Sequence, residues 1–198
     1  MKKLALFFSG MGVVISAFAQ TWVPATGGSW TNTANWTPAT VPDSNTASVV
    51  VSQNFTNAPA LPTLTLDRSA AFTVNKISYN DTAATYYGCT IAAGSPAGSL
   101  IFAGASPTVD TPGNAGAELT ITAPVNVSQG LTKTGTRYVY LNGVVTGFSS
   151  LTYNAVNGGM LAIGPATTID WTTINKTAGS GTLRLDALST MTAPAAYS

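Results

Sequence analysis

The chain has 198 residues, of which only 8% are charged, with eight Lys or Arg against seven Asp or Glu and a formal net charge of +1. It contains no histidine, which excludes Ser-His-acid and Cys-His catalysis and every imidazole metal site. So small a net charge also gives no footprint of a nucleic-acid-binding protein, and we expect no nucleic-acid partner.

Residues 1–19 predict a secretory signal peptide. Two lysines precede an apolar run at residues 4–15, and the small residues Ala17 and Ala19 form an A-x-A cleavage site. The apolar run is too short to cross a bilayer, although an uncleaved membrane anchor is an alternative. We expect export, cleavage after Ala19, and a mature protein without a transmembrane segment that is secreted or held at the outer cell surface.

Residues 20–62 differ in composition from the rest of the chain. They hold Trp22, Trp30 and Trp36 together with five prolines. We expect this stretch to form an irregular N-terminal capping segment, because the first coil of a stacked β structure has an apolar end that must be covered.

Residues 63–198 predict short β-strands with a repeating pattern, and no window places apolar residues at helical spacing. Five segments share an apolar-x-apolar core, and their first residues are 19 to 22 positions apart: Leu100, Leu119, Val139, Leu161 and Leu183. Two more, Leu64-Thr65-Leu66 and Ile77-Ser78-Tyr79, are only 13 positions apart, so we interpret them as different faces of one coil.

A period near 20 residues with strand-type cores is typical of a β-solenoid, in which each coil pairs in parallel with the one before. The protein is therefore predicted to be all-β, with the flanking residues of each core pointing inward and the middle residues, such as Tyr140 and Arg184, pointing outward. An antiparallel sandwich is the alternative architecture.

Two stretches carry a resemblance to a known family. Gly130-Leu131-Thr132-Lys133-Thr134-Gly135-Thr136, followed by Val139-Tyr140-Leu141-Asn142-Gly143 and by residues 157–164, resembles the autotransporter-associated β-strand repeat. The entry Gly28-Ser29-Trp30, Asn35-Trp36 and Val41-Pro42 is similar to the start of mature passengers in such proteins. The resemblance implies a right-handed parallel β-helix in a bacterial surface or secreted protein, and the end at Ser198 without a barrel or sorting tail makes a larger downstream polypeptide an expected partner.

The ionisable residues give little sign of a catalytic centre. A glycosidase needs two carboxylates that face each other, whereas the seven acids are scattered singly along the chain. Some β-helix enzymes that cleave acidic polysaccharides combine calcium-binding carboxylates with a basic side chain, so Arg137, Arg184, Asp170 and Asp186 keep a polysaccharide lyase open as an alternative. We predict no catalytic, cofactor-binding or metal-binding residue.

Aromatic residues define a second alternative, a carbohydrate-binding module. Trp30 and Trp36, together with the outward Tyr140, are the candidate sugar-stacking residues, and residues 86–87 add two further tyrosines. Burial within the capping segment is the other interpretation of the two tryptophans.

Cys89 is the single cysteine, so no disulfide forms within the chain. We interpret it as a small apolar residue, with pairing to another chain as the alternative.

The leading hypothesis from the sequence is a non-enzymatic, exported β-helical module of structural or adhesion type. Its expected partners are surface glycans or extracellular matrix.

Overall fold

The computed structural model describes residues 19–53, 61–81, 88–113, 118–147, 150–154, 159–164, 168–170, 174–176, 180–186 and 190–192. Within these ranges the protein is all-β, with one short 3-10 helix at Thr33–Asn35. Of the predicted signal peptide, only Ala19 belongs to the described residues. No helix in the described part of the chain is long and apolar enough to cross a membrane.

The strands are short and are numbered here in chain order. They are β1 (Ala19–Trp22), β2 (Gly28–Ser29), β3 (Trp36–Thr37), β4 (Ser48–Gln53), β5 (Thr63–Leu66), β6 (Phe72–Val74), β7 (Lys76–Asp81), β8 (Cys89–Ala93), β9 (Leu100–Phe102), β10 (Thr108–Thr111), β11 (Glu118–Ile121), β12 (Val125–Asn126), β13 (Leu131–Gly135), β14 (Tyr138–Leu141), β15 (Val145–Thr146), β16 (Leu151–Asn154), β17 (Met160–Ile163), β18 (Thr168–Asp170), β19 (Ile174–Lys176), β20 (Thr182–Leu185) and β21 (Thr190–Thr192).

The chain visits three sheets in turn and then returns to the first. Sheet A has the order β19-β16-β13-β10-β7-β4-β1-β3, sheet B the order β2-β5-β8-β11-β14-β17-β20, and sheet C the order β15-β12-β9-β6. A two-stranded sheet joins β18 and β21. Among the described strands every pairing is parallel except that of β3 with β1, which confirms the prediction of an all-β chain of parallel sheets and contradicts the antiparallel sandwich.

Alternating side chains build the core between the sheets. In β7, Ile77, Tyr79 and Asp81 are buried, whereas the residues between them are partly exposed. Buried apolar residues form one continuous cluster that starts at Trp22, and Leu183 and Leu185 pack against its far end. Full burial of an aliphatic side chain contributes about 1.5–3 kcal/mol, so this column is the main source of stability in a chain without disulfides.

The predicted apolar column exists for four of its five members. Leu119, Val139, Leu161 and Leu183 are direct neighbours in sheet B. The placement of Leu100 in the same column is wrong, because Leu100 lies in sheet C between Phe72 and Val125.

Cys89 occupies the column position beside Leu119 instead. The reason for the difference is that coil length varies. Thr108 pairs with Lys76, 32 positions earlier, and with Thr132, only 24 positions later. The longer coil holds two strands of similar form, Cys89–Ala93 and Leu100–Phe102. The Leu64 and Ile77 segments lie in sheets B and A, on different faces as predicted.

The tight turn after β13 explains one glycine of the repeat motif. Gly135 has a φ of +84°, a left-handed conformation that other residues adopt at a cost. A Cβ at this position would also lie 2.8 Å from the backbone nitrogen of Thr111 in the neighbouring coil. Both conditions require glycine, so the chain can turn from sheet A into sheet B here.

Stacked strands begin upstream of residue 63. Within residues 20–62, β1 and β4 belong to sheet A and β2 to sheet B, and β4 pairs with β7 over six residues. The irregular part of this segment covers the N-terminal edges of the sheets. Antiparallel β3 covers β1 in sheet A.

Side chains perform the same task for the other two sheets. On β2, Asn35 Nδ2 donates to the Ser29 carbonyl at 2.8 Å, and the Trp36 indole donates to the Trp30 carbonyl at 2.8 Å. On β6, the Thr73 amide donates to Asp43 Oδ1 at 2.8 Å, and the Ser44 amide donates to the Thr73 carbonyl at 2.8 Å. These bonds satisfy backbone groups that an open edge would expose.

Candidate functional site

The outer face of sheet B carries the cluster with the richest chemistry. Two outward rows cross the strands in register, the first of Thr120, Tyr140, Ala162 and Arg184 and the second of Glu118, Tyr138, Met160 and Thr182. We call Glu118, Tyr138, Tyr140, Arg184 and Asp186 the tyrosine platform. Four members come from the three strands β11, β14 and β20, and Asp186 directly follows β20, so the parallel register brings them together.

Two aromatic rings form the centre of the tyrosine platform. The centroids of Tyr138 and Tyr140 are 6.4 Å apart and the rings are nearly perpendicular, at 89°. Tyr138 is 39% exposed, one of the few large hydrophobic residues so open to solvent in the described part of the chain. The arrangement therefore offers aromatic surface that the core does not use.

Arg184 connects two coils across a small residue. Its guanidinium carbon lies 5.5 Å from the centroid of the Tyr140 ring, a cation-π contact that passes over the strand between them. The residue on that strand is Ala162, which is fully buried although it lies in an outward row. Asp186 holds the guanidinium by accepting hydrogen bonds of 2.7 Å from both Nε and Nη2.

Glu118 lies at the other end of the tyrosine platform. Tyr140 Oη donates to Glu118 Oε1 in a long hydrogen bond of 3.5 Å. Partial burial raises the pKa of Tyr140, the nearby Glu118 carboxylate raises it further, and Arg184 opposes the change. The phenol therefore stays protonated at neutral pH and keeps a hydroxyl that can donate. The hydrogen bonds that Arg184 donates to Asp186 raise the pKa of Arg184, so the guanidinium stays charged.

The three candidate sugar-stacking residues do not come together. Trp30 and Trp36 are buried, 0% and 2% exposed, and pack edge to face with centroids 4.8 Å apart. The Trp30 indole donates to the Pro42 carbonyl at 3.2 Å. Neither tryptophan offers a ring face to solvent, so the geometry favours the packing interpretation for both. Only Tyr140 belongs to an accessible surface.

The residues of the lyase alternative are also separated. Arg137 Nε donates to the Gly113 carbonyl at 3.0 Å, so it is engaged with the backbone of another coil. Arg184 and Asp186 are paired with each other, and the backbone of Asp170 lies in β18. Within the described ranges, no three His, Cys, Asp or Glu side chains come close enough to hold a metal ion. The tyrosines of residues 86–87 lie outside the described residues.

Sequence reasoning missed Tyr138, although a signal for it existed. Residues two apart on a strand share a face, so Tyr138 had to accompany Tyr140. No comparable sequence signal predicts the contact between Arg184 and Tyr140, which depends on the register of strands two coils apart.

Lys133 is a second polar feature that the sequence did not single out. Its side chain is fully buried between the sheets, and burial lowers its pKa to about 8, against the opposing effect of Asp110. Nζ donates to Thr111 Oγ1 at 3.0 Å, to the Gly135 carbonyl at 3.3 Å and to the Thr134 carbonyl. An amine so enclosed meets no substrate, and its role is to bind the carbonyl groups of the turn after β13.

Comparison of the chain with protein-family models, with curated proteins and with solved structures finds no match in any of the three.

Proposed function

We propose that the chain is a non-enzymatic, exported module that folds as a right-handed parallel β-helix and serves a structural or adhesive role in a bacterial surface or secreted protein. The observation that carries the proposal is that the strands within sheets A, B and C pair in parallel and in register, apart from the antiparallel β3. Right-handedness is the expected hand because parallel crossover connections are right-handed in about 98% of cases. The signal-like N-terminus and the resemblance to the autotransporter-associated repeat support export and a surface role.

The chemistry of the ionisable residues supports a non-enzymatic role. The sequence has no histidine, and the side chains of Arg184 and Lys133 already bind other groups of the protein. Arg184 is held by Asp186, and Lys133 is enclosed in the core. A general base must reach a substrate proton, which an enclosed amine does not do.

Export and adhesion are tested with the full chain expressed in a Gram-negative bacterium. We expect a mature N-terminus at Gln20 by mass spectrometry, protein in the medium or accessible to protease on intact cells, and increased attachment of cells to glycan-coated or matrix-coated surfaces. Ala17→Arg is the matched control, since it blocks the cleavage site without touching residues 20–198. Unprocessed wild-type protein that stays in the cytoplasm would contradict the proposal.

Enzymatic activity is tested separately on the purified mature chain. We expect no calcium-dependent release of unsaturated products from acidic polysaccharides and no new reducing ends from neutral ones. Turnover that disappears in Arg184→Ala would replace the structural proposal with the lyase alternative.

Carbohydrate binding is a second candidate function, because one specific observation favours it. Tyr138 and Tyr140 form an aromatic pair on the outer face of sheet B, with hydrogen-bonding groups on both sides. Surface glycans are the corresponding partners, and a larger downstream polypeptide would hold the module near them.

A further inference from the structure

We propose that the tyrosine platform binds neutral polysaccharide chains, with a sugar ring stacked on the exposed Tyr138 and bordered by Tyr140. This inference rests on the second candidate function and names its site and ligand class. In the described part of the chain, six large aromatic side chains are buried in the core: Trp22, Trp30, Trp36, Phe72, Phe102 and Tyr79. Tyr138 is exposed and Tyr140 partly exposed, so the core does not use these two rings in the same way.

The tyrosine platform combines aromatic rings with carboxylates that can accept hydrogen bonds from hydroxyl groups. A pyranose presents an apolar face to an aromatic ring and hydroxyl groups around its edge. At the platform, the carboxylates of Glu118 and Asp186 lie on opposite sides of the rings and can accept hydrogen bonds from such hydroxyls. The single hydrogen of the Tyr140 phenol is directed to Glu118, so the phenol oxygen can only accept from a ligand.

The charges favour a neutral ligand over an acidic one. Arg184 is the platform's cation, and Asp186 accepts from two of its nitrogens, so their charges cancel locally. Glu118 then leaves a net negative charge, which repels uronate or sulfate groups. A neutral glycan meets no such repulsion.

The platform reaches across four neighbouring strands of sheet B, from β11 to β20, and a chain of sugars can follow this direction. Tyr140 and Arg184 lie two coils apart in one row, about 10 Å at the usual spacing of parallel strands. Arg184 acts as a positioning residue, because its contact with Tyr140 and its bonds to Asp186 fix the ring before a ligand arrives.

The test measures retardation of the mature protein in native gels that contain soluble β-glucan, xylan or galactomannan, with alginate and polygalacturonate as acidic polymers. We expect retardation by at least one neutral polymer and none by the acidic ones. In Tyr138→Ala/Tyr140→Ala the apparent affinity should fall at least about tenfold, since two aromatic contacts are lost. Tyr140→Phe keeps the ring and should bind within about threefold of wild type.

Val144→Ala is the matched control, because it removes an exposed apolar side chain directly before β15 and should leave binding unchanged. Circular dichroism and thermal unfolding accompany each variant. Should the double variant unfold, Tyr138→Ala alone, at the more exposed ring, gives the measurement. The inference is overturned if wild type binds no neutral polymer, if it binds only acidic ones, or if a folded Tyr138→Ala variant binds as tightly as wild type. None of these outcomes touches processing at Ala19 or the parallel fold.

Discussion

Burial of a lysine amine inside a coil costs free energy of desolvation, and the hydrogen bonds of Lys133 offset part of it. Its amine binds the Thr111 hydroxyl and two carbonyl groups of the turn, so no hydrogen of the amine needs water. The lysine belongs to the same motif as Gly135, which permits the turn itself. The two residues thus act together, one by allowing the backbone bend and the other by satisfying its carbonyls.

Lys133 should make stability depend on pH. Because burial lowers its pKa to about 8 from 10.5, the unfolded chain binds a proton between these values that the folded chain has released. The contribution of Lys133 to stability therefore rises as the pH increases from 8 to 10.5, by about 3 kcal/mol in total. Lys133→Met, which keeps the length without the charge, should remove this rise.

Urea denaturation of both proteins from pH 7 to 10.5 measures the effect. The difference between them is informative, because Cys89 acts in the opposite direction: burial raises its pKa to about 12, so its contribution is lost as the pH rises above 9. Curves for wild type and Lys133→Met that stay parallel over this range would show that the amine is not buried.

Cys89 should be chemically inert in the folded protein. It is completely buried next to Leu119, and the thiolate form that reacts is suppressed by burial. We expect no reaction with a disulfide reagent such as dithionitrobenzoate under native conditions and one equivalent of thiol in guanidinium chloride. Fast labelling of the native protein would instead show an accessible thiol, which pairing with another chain requires.

At the scale of the strand, inward and outward positions should differ sharply in their tolerance of substitution. Leu119 lies in sheet B between Cys89 and Val139 and is fully buried, so Leu119→Ala leaves a cavity and should lower the free energy of unfolding by about 2–5 kcal/mol. Thr120→Ala on the same strand points outward and should cost less than about 0.5 kcal/mol. Similar losses for the two variants, measured by urea denaturation, would contradict the assigned face.

The strands were the part of the fold most open to prediction from sequence. Alternation over three residues predicts a strand and its faces, and equal spacing predicts which strands become neighbours, as with Leu119 and Val139. Spacing failed for Leu100 because the coils differ in length, from 32 positions between Lys76 and Thr108 to 20 between Leu131 and Leu151. The contents of the tyrosine platform could be predicted only in part. Tyr140 and Arg184 were expected to face outward, but their contact follows from a register that sequence alone does not give.

At the scale of the whole molecule, the bonds over the N-terminal sheet edges should control association. Asp43 accepts from the Thr73 amide at 2.8 Å and from Arg68 Nη2 at 2.8 Å, and it occupies the place of a neighbouring strand beside β6. Asp43→Ala leaves the Thr73 amide without this acceptor and should lower the free energy of unfolding by about 1–2 kcal/mol. The uncovered edge also becomes a template for another chain.

Asp43→Asn is the control, because it retains one oxygen that can accept from the amide. We expect concentration-dependent light scattering for Asp43→Ala and monodisperse behaviour for Asp43→Asn. Equal scattering from the two variants would show that the carboxylate does not cover the edge.

Because the strands pair in register, a protein of this kind can gain or lose a coil without a change in how the remaining strands pair. Leu131 pairs with Leu151 and Thr132 with Thr152, so excising the 20 positions from one leucine to the next would bring together partners of the same kind. The length of the protein can therefore change by whole coils. Each added or removed coil would add or remove one strand's outward side chains from each sheet, and the strands on either side would keep their own side chains.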